Sequence, residues 1–246
     1  MFIEIILGLV VIVIIYLLYS YLFSSSSDAV LVTSSPGITS HSIPESRLPN
    51  EMHSSVYSYS VWINVDDWNY RFDEPKVIFA SASTRGVNPA VTLGPKVNSI
   101  TVSVNLTNRT SDDDFEERWD TEGSPPTTVG TPQKCVLHNI PLQKWVNLIV
   151  VLNNRALDLY VDGKLVRTCV LEGVPVRYGK IWLTPDGGFS GQTASFRYFS
   201  YPLNPRQAYE VYREGYSGSL LGNFFNKYRI KFAFMKGSRE MGSLEI

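Results

Sequence analysis

Carboxylates two residues apart on a strand point the same way and can serve as general acid and base at a glycosidic bond. The chain has one such set, Asp112, Asp114 and Glu116, inside the run DDDFEERWDTEG (112–123), which holds seven acids. In so dense a run the alternation arises cheaply, and no apolar strand pattern carries it. The run is expected to be a solvated acidic loop inserted between strands, and a glycosidase is the least favoured reading. The same oxygens could take calcium, a hard cation that needs several of them. However, Glu117 fills the position where an EF-hand needs glycine, so calcium has no specific motif here.

Other chemistry is thinner. His41, His53 and His138 are the only histidines, and none has zinc spacing with a cysteine. GGFSG (187–191) lacks the G-x-S-x-G order of a nucleophile elbow. GVPVRYGK (173–180) is one residue too long for a P-loop and lacks Ser or Thr after its lysine. No nucleophile–base pair stands out, so neither enzyme activity nor a cofactor is expected. Asn105-Leu-Thr and Asn108-Arg-Thr are glycosylation sequons, which matter only if the domain faces a lumen or the exterior. Cys135 and Cys169 are too few for a disulfide-stapled scaffold or a four-thiolate zinc site. Both lie in strand-like runs and could pair or stay free thiols; a bond needs Cα atoms roughly 4.4–6.8 Å apart. With 22 basic and 23 acidic residues, the chain lacks the basic surface that bulk nucleic-acid binding requires.

The elements follow from patterning. Residues 2–23 carry one charge, Glu4, and as a helix would reach roughly 33 Å, enough to cross a bilayer core. Tyr16, Tyr19 and Tyr21 cluster at one end, where aromatic rings favour the interface. A cleaved signal peptide fits less well, because no Lys or Arg starts the run, the apolar run is too long, and no small-x-small site follows clearly. Residues 1–23 therefore read as a single-pass transmembrane anchor. With no basic residue before the span and Arg47 the nearest after it, its orientation is not readable. Residues 24–54, opened by serines and punctuated by Pro36, Pro44 and Pro49, read as an extended linker.

From residue 55 onward, alternation takes over. Tyr57, Tyr59, Val61, Ile63 and Val65 alternate with Ser58, Ser60, Trp62 and Asn64, which predicts a strand with one apolar and one mixed face. Further strands are predicted at 76–83, 99–107, 134–140, 145–154, 180–185 and 195–201. Asp162-Gly163 between alternating runs predicts a hairpin over 156–171. Asn204, Pro205 and Gly215 bracket one short helix with Ala208, Val211 and Tyr212 inward. Such closely spaced strands argue for an all-β sandwich of two antiparallel sheets.

The stretches 57–70, 140–171 and 184–215 resemble, in order and wording, the concanavalin A-like, laminin-G-like sandwich domains. The wording is closest in style to membrane-anchored copies in large DNA viruses. The resemblance covers about 55–216. It implies a jelly-roll fold and a structural role in a virion membrane or capsid. On that reading Trp145 is a core aromatic, Gly187, Gly188 and Gly191 are turn positions, and Asp162 is a turn residue rather than a calcium ligand.

Residues 217–246 lie beyond the resemblance. Lys227, Arg229 and Lys231 alternate with Tyr228, Ile230 and Phe232 and, with Lys236, make a basic-aromatic arm. Such an arm suits a partner subunit or anionic lipid. The leading expectation is a minor capsid or virion membrane protein, anchored in a bilayer by residues 2–23 and contacting coat proteins. The alternative is a membrane-displayed lectin, with Trp68 and Trp119 stacking on a glycan.

Overall fold

The computed structural model describes residues 13, 14, 16, 28–48, 55–83, 86–106, 132–175, 179–216, 231–236 and 239–245. One sheet runs in the order β1 (Asp28–Pro36), β12 (Ser190–Phe199), β3 (Val56–Asp67), β8 (Val146–Asn153), β9 (Ala156–Val161), β10 (Lys164–Val170). The other runs β2 (His41–Ile43), β11 (Lys180–Leu183), β4 (Lys76–Ser83), β5 (Gly86–Leu93), β6 (Ser99–Val104), β7 (Gln133–His138). Every neighbouring pair is antiparallel.

The alternation in β3 sets the core. Tyr57, Tyr59, Val61, Ile63 and Val65 are buried between the sheets with Leu148, Val150, Phe196, Ile78, Phe79 and Val102. Tyr59 lies 5.0 Å from Phe79 and 5.3 Å from Tyr198, ring centre to ring centre. The mixed face of β3 is also buried, under the α1 helix (Pro205–Glu214) and the segment leading into it. Ile149, Val151, Tyr160 and Phe199 pack there against Leu203, Ala208 and Val211. The serines are needed because this layer carries backbone. Ser58 Oγ donates to the Tyr201 carbonyl at 2.8 Å and accepts from the Leu203 N–H at 3.0 Å. Buried polar groups are tolerated when paired in this way.

The predicted turn and helix chemistry holds. Asp162 (φ 49°) and Gly163 (φ 72°) make the tight β9–β10 turn. The Asn204 side chain accepts from the Gln207 N–H at 2.9 Å, and the Gln207 side chain accepts from the Asn204 N–H at 2.9 Å. Gly215 caps the other end at φ 77°.

One expectation needs correction. The linker over 24–54 does not run as an irregular stalk in its described part. β1 pairs with β12 from Asp28↔Phe199 to Pro36↔Gln192, and β2 pairs with β11. A 3-10 turn follows at Glu45–Arg47. The sandwich therefore begins at Asp28, not at residue 55. Within the arm expected over 217–246, β13 (Lys231–Lys236) pairs with β14 (Arg239–Glu245) as a hairpin. Lys227 and Arg229 lie outside the described residues. Of the expected anchor, only Val13, Ile14 and Tyr16 are described, all helical. Among the described residues no helix is long and apolar enough to cross a membrane.

Chain direction sorts the loops into two ends. β1 starts beside Phe199, and antiparallel pairing brings Ser55, Asn153–Asn154 and the Leu171–Gly179 connection to that same end. The opposite end gathers Gly37–Ser40, Trp68–Glu74, Gly94–Asn98, Asn139–Trp145, Asp162–Gly163 and Thr184–Phe189.

Candidate functional site

The Trp68 end holds seven of the nine described non-glycine residues with positive φ: Arg71, Asp73, Asn139, Gln143, Asp162, Thr184 and Asp186. Left-handed backbone at such residues costs energy and concentrates where a fold holds a special surface. This makes the end the leading candidate site.

Its loops are sewn together. Arg71 pairs with Glu74 at 2.7 Å and Asp186 at 3.2 Å, and also donates to the Asp186 carbonyl. Desolvation lowers the Arg71 pKa, but its bonds to Glu74 and Asp186 outweigh that and leave it raised. Tyr70 OH donates to the Gly187 carbonyl at 3.1 Å. Lys96 pairs with Asp73 at 3.0 Å. Gly187 and Gly188 are turn positions, as expected, whereas Gly191 lies within β12 at a register shift against β3, and all three let backbones close. A Cβ on Gly188 would stand 2.1 Å from the Gly37 carbonyl oxygen, and one on Gly191 would stand 1.9 Å from that of Asn64.

Beneath these loops lies Lys76, the first residue of β4, only 1% exposed. Among the described residues its ammonium has no hydrogen-bond partner, and it sits 4.9 Å from the centre of the Trp68 ring. Burial, and then the Arg71 charge, push its pKa down, while Asp67 and Glu74 partly offset this. Trp68 is half-buried, packed against the main core, with its indole N–H enclosed. The Lys76 ammonium lies over its ring. Trp119 lies outside the described residues, as does the Asp112, Asp114, Glu116 set.

A second aromatic group flanks this end. Trp145 stacks on Tyr216 at 4.8 Å with an interplanar angle of 7°, and Trp62 stacks on Tyr212 at 5.6 Å. Trp145, expected in the core, is half-buried at the surface instead, and Tyr216 is 40% exposed. Nothing in the sequence singles out Tyr216, because it sits just past the helix cap, where no periodicity marks it.

The long sides of the sandwich differ. Cys135 on β7 and Cys169 on β10 form a disulfide with Cα atoms 6.1 Å apart, which settles the open choice between bond and free thiols. On the opposite side an open depression of about 400 Å³ separates β1 from β2, lined by Val30, Thr33, His41, Ser42 and Arg47. Ser35 Oγ lies 2.6 Å from His41 Nε2 there, a nucleophile–base distance that spacing alone did not suggest. Ser35 is buried, and its Oγ also donates to the Pro36 carbonyl at 3.2 Å. Among the described residues no carboxylate orients His41, as a triad would require. The pair serves to tie β1 to β2. Among the described residues no three His, Cys, Asp or Glu side chains gather as a metal site.

Residues 39–208 match a laminin-G-type family model, described as the concanavalin A-like lectin/glucanases superfamily. No curated protein sequence matches the chain. The botulinum neurotoxin serotype D binding domain is similar in structure, with a TM-score of 0.52 at 15% identity, over 75% of this chain and 42% of that one. The binding domain of botulinum neurotoxin DC, solved in complex with rat synaptotagmin II, gives 0.50 at 13% identity, over 74% and 42%. This chain spans less than half the length of those toxin domains, and at such identity the likeness is one of fold.

Proposed function

We propose that this chain, which belongs to the concanavalin A-like lectin/glucanases superfamily, is a membrane-anchored interaction protein without catalysis. In the finer reading it is a minor capsid or virion membrane protein of a large DNA virus. Residues 2–23 hold it, single-pass, in an internal virion membrane, and the sandwich contacts neighbouring coat proteins. The resemblance of 57–70, 140–171 and 184–215 to membrane-anchored viral copies supports the setting.

The observation that carries the contact is β10. This outermost strand is exposed at every position except Cys169, and it shows Leu165 and Val166 to solvent near the Trp68 end. An exposed apolar edge strand is a natural docking element for another chain. A toxin binding domain that shares this fold over part of its length was solved in complex with a protein, synaptotagmin II, which supports a protein partner here. The basic arm, with Lys227, Arg229, Lys231 and Lys236, is the second contact we assign, to a partner subunit or anionic lipid.

The test is crosslinking mass spectrometry on intact native particles, with stepwise extraction by salt and then detergent. Crosslinks from the sandwich and arm to coat proteins are expected, with release only in detergent. Leu165→Asp should lower the β10 crosslinks severalfold. Release by salt with no protein neighbours would sink the reading. The lectin reading is favoured by one observation, the Trp145–Tyr216 pair, and retention on a glycan array that Trp145→Ala abolishes would establish it.

A further inference from the structure

Phe23 closes the apolar segment and Asp28 opens β1, with four serines between them. A chain extends at most ~3.6 Å per residue, so the five steps from Phe23 to Asp28 reach no more than roughly 18 Å. The sandwich is longer than that. β12 has 10 residues, which at ~3.3 Å each span roughly 33 Å. If residues 2–23 span a bilayer, this tether holds the Asp28 end of the sandwich at the interface and cannot let the domain drift away.

The Asp28 end is built for such a neighbour. Val170, the last residue of β10, is 78% exposed, and Val174, in the connection that follows, is 39% exposed. Exposed Arg155 lies in the β8–β9 turn at the same end. Small apolar side chains with arginine beside them suit the headgroup region.

We infer that the Asp28 end of the sandwich rests on the lipid surface through Val170 and Val174. The domain then stands upright, with the Trp68 end turned away from the membrane. This rests on the membrane reading above.

The test uses the full chain in phosphatidylcholine vesicles, with a photoreactive residue placed in turn at Val170, Val174, Ile38 and Val97. All four positions are exposed, and the last two lie at the Trp68 end. Lipid adducts at Val170 and Val174 should exceed those at Ile38 and Val97 severalfold. Inserting a long Gly-Ser spacer after Ser27 should reduce them severalfold, with the Cys135–Cys169 bond on non-reducing gels confirming the fold. Equal adducts at Ile38 would mean that the domain lies on its β1–β2 side, and adducts nowhere would mean that it is held off the surface. Either result overturns the inference. Extraction of the chain by alkaline carbonate would overturn the membrane reading and this inference together, whereas carbonate resistance without adducts at Val170 and Val174 overturns the inference alone.

Discussion

Cys135 and Cys169, 34 positions apart in sequence, join the outermost strands of the two sheets on one side of the sandwich. Beside them Arg167 donates to the Val136 carbonyl, and the Glu172 N–H donates to the Gln133 side chain at 2.8 Å. The bond thus closes a seam that few other links hold. A crosslink over a loop of this size restricts the unfolded chain by about 3–4 kcal/mol. Cys169→Ala, or reduction, should lower stability by about that amount in urea unfolding. Thiol labelling of the native protein should mark neither cysteine.

The backbone clasp between Gly37 and the GGFSG bend makes a sharper prediction. Gly191→Ala and Gly188→Ala would each drive a methyl into a carbonyl oxygen, at backbone angles that L residues avoid. Each should cost at least about 3 kcal/mol or prevent folding. Gly173→Ala is the control. Its methyl would meet only the Leu106 side chain at 3.4 Å, so its effect should stay within about 1 kcal/mol. Urea midpoints of the three variants would separate backbone contact from a general loss of glycine.

Lys76 predicts a pH dependence. Its pKa is lowered from the ordinary value of 10.5. Between the folded pKa and 10.5 the unfolded chain binds the extra proton, so stability must rise with pH through that window. Lys76→Met should flatten this rise and be neutral or stabilising at pH 7, because a buried unpaired charge is replaced by an apolar chain. Tyr160, whose pKa burial raises from 10.0, works in the opposite sense above that value. Unfolding should therefore be compared from pH 7 up to about 10. A wild-type slope equal to that of the variant would show that Lys76 is solvated.

Much of the sandwich was legible because its central strands carry their own signals. β3, β8 and the β9–β10 hairpin have unbroken apolar alternation or a tight turn, and the Asn204 and Gln207 exchange is local chemistry. β1 escaped because an edge strand needs little. Of its nine residues, Leu31 is the one buried in the main core, with Val32 half-buried against it, and Thr33, Ser34, Ser35 and Pro36 make up its second half. β5 escaped because Pro89 interrupts its pattern. At the Trp68 end, sequence named Trp68 but could not place it over Lys76, since the two meet only when β4 returns beside the loop after β3. Likewise, nothing local pairs Ser35 with His41 or Trp145 with Tyr216.

The register of β1 has a mechanical consequence. Seven residue pairs tie it to β12 along its length, and its first residue lies at the end where the chain enters. A pull delivered through the N-terminal segment, against a neighbour gripping β10, acts along the strand axis. The hydrogen bonds of an antiparallel pair lie across that axis. They would be loaded together in shear instead of being unzipped one at a time. The entry strand is thus arranged to transmit tension into the sheet rather than to peel away from it.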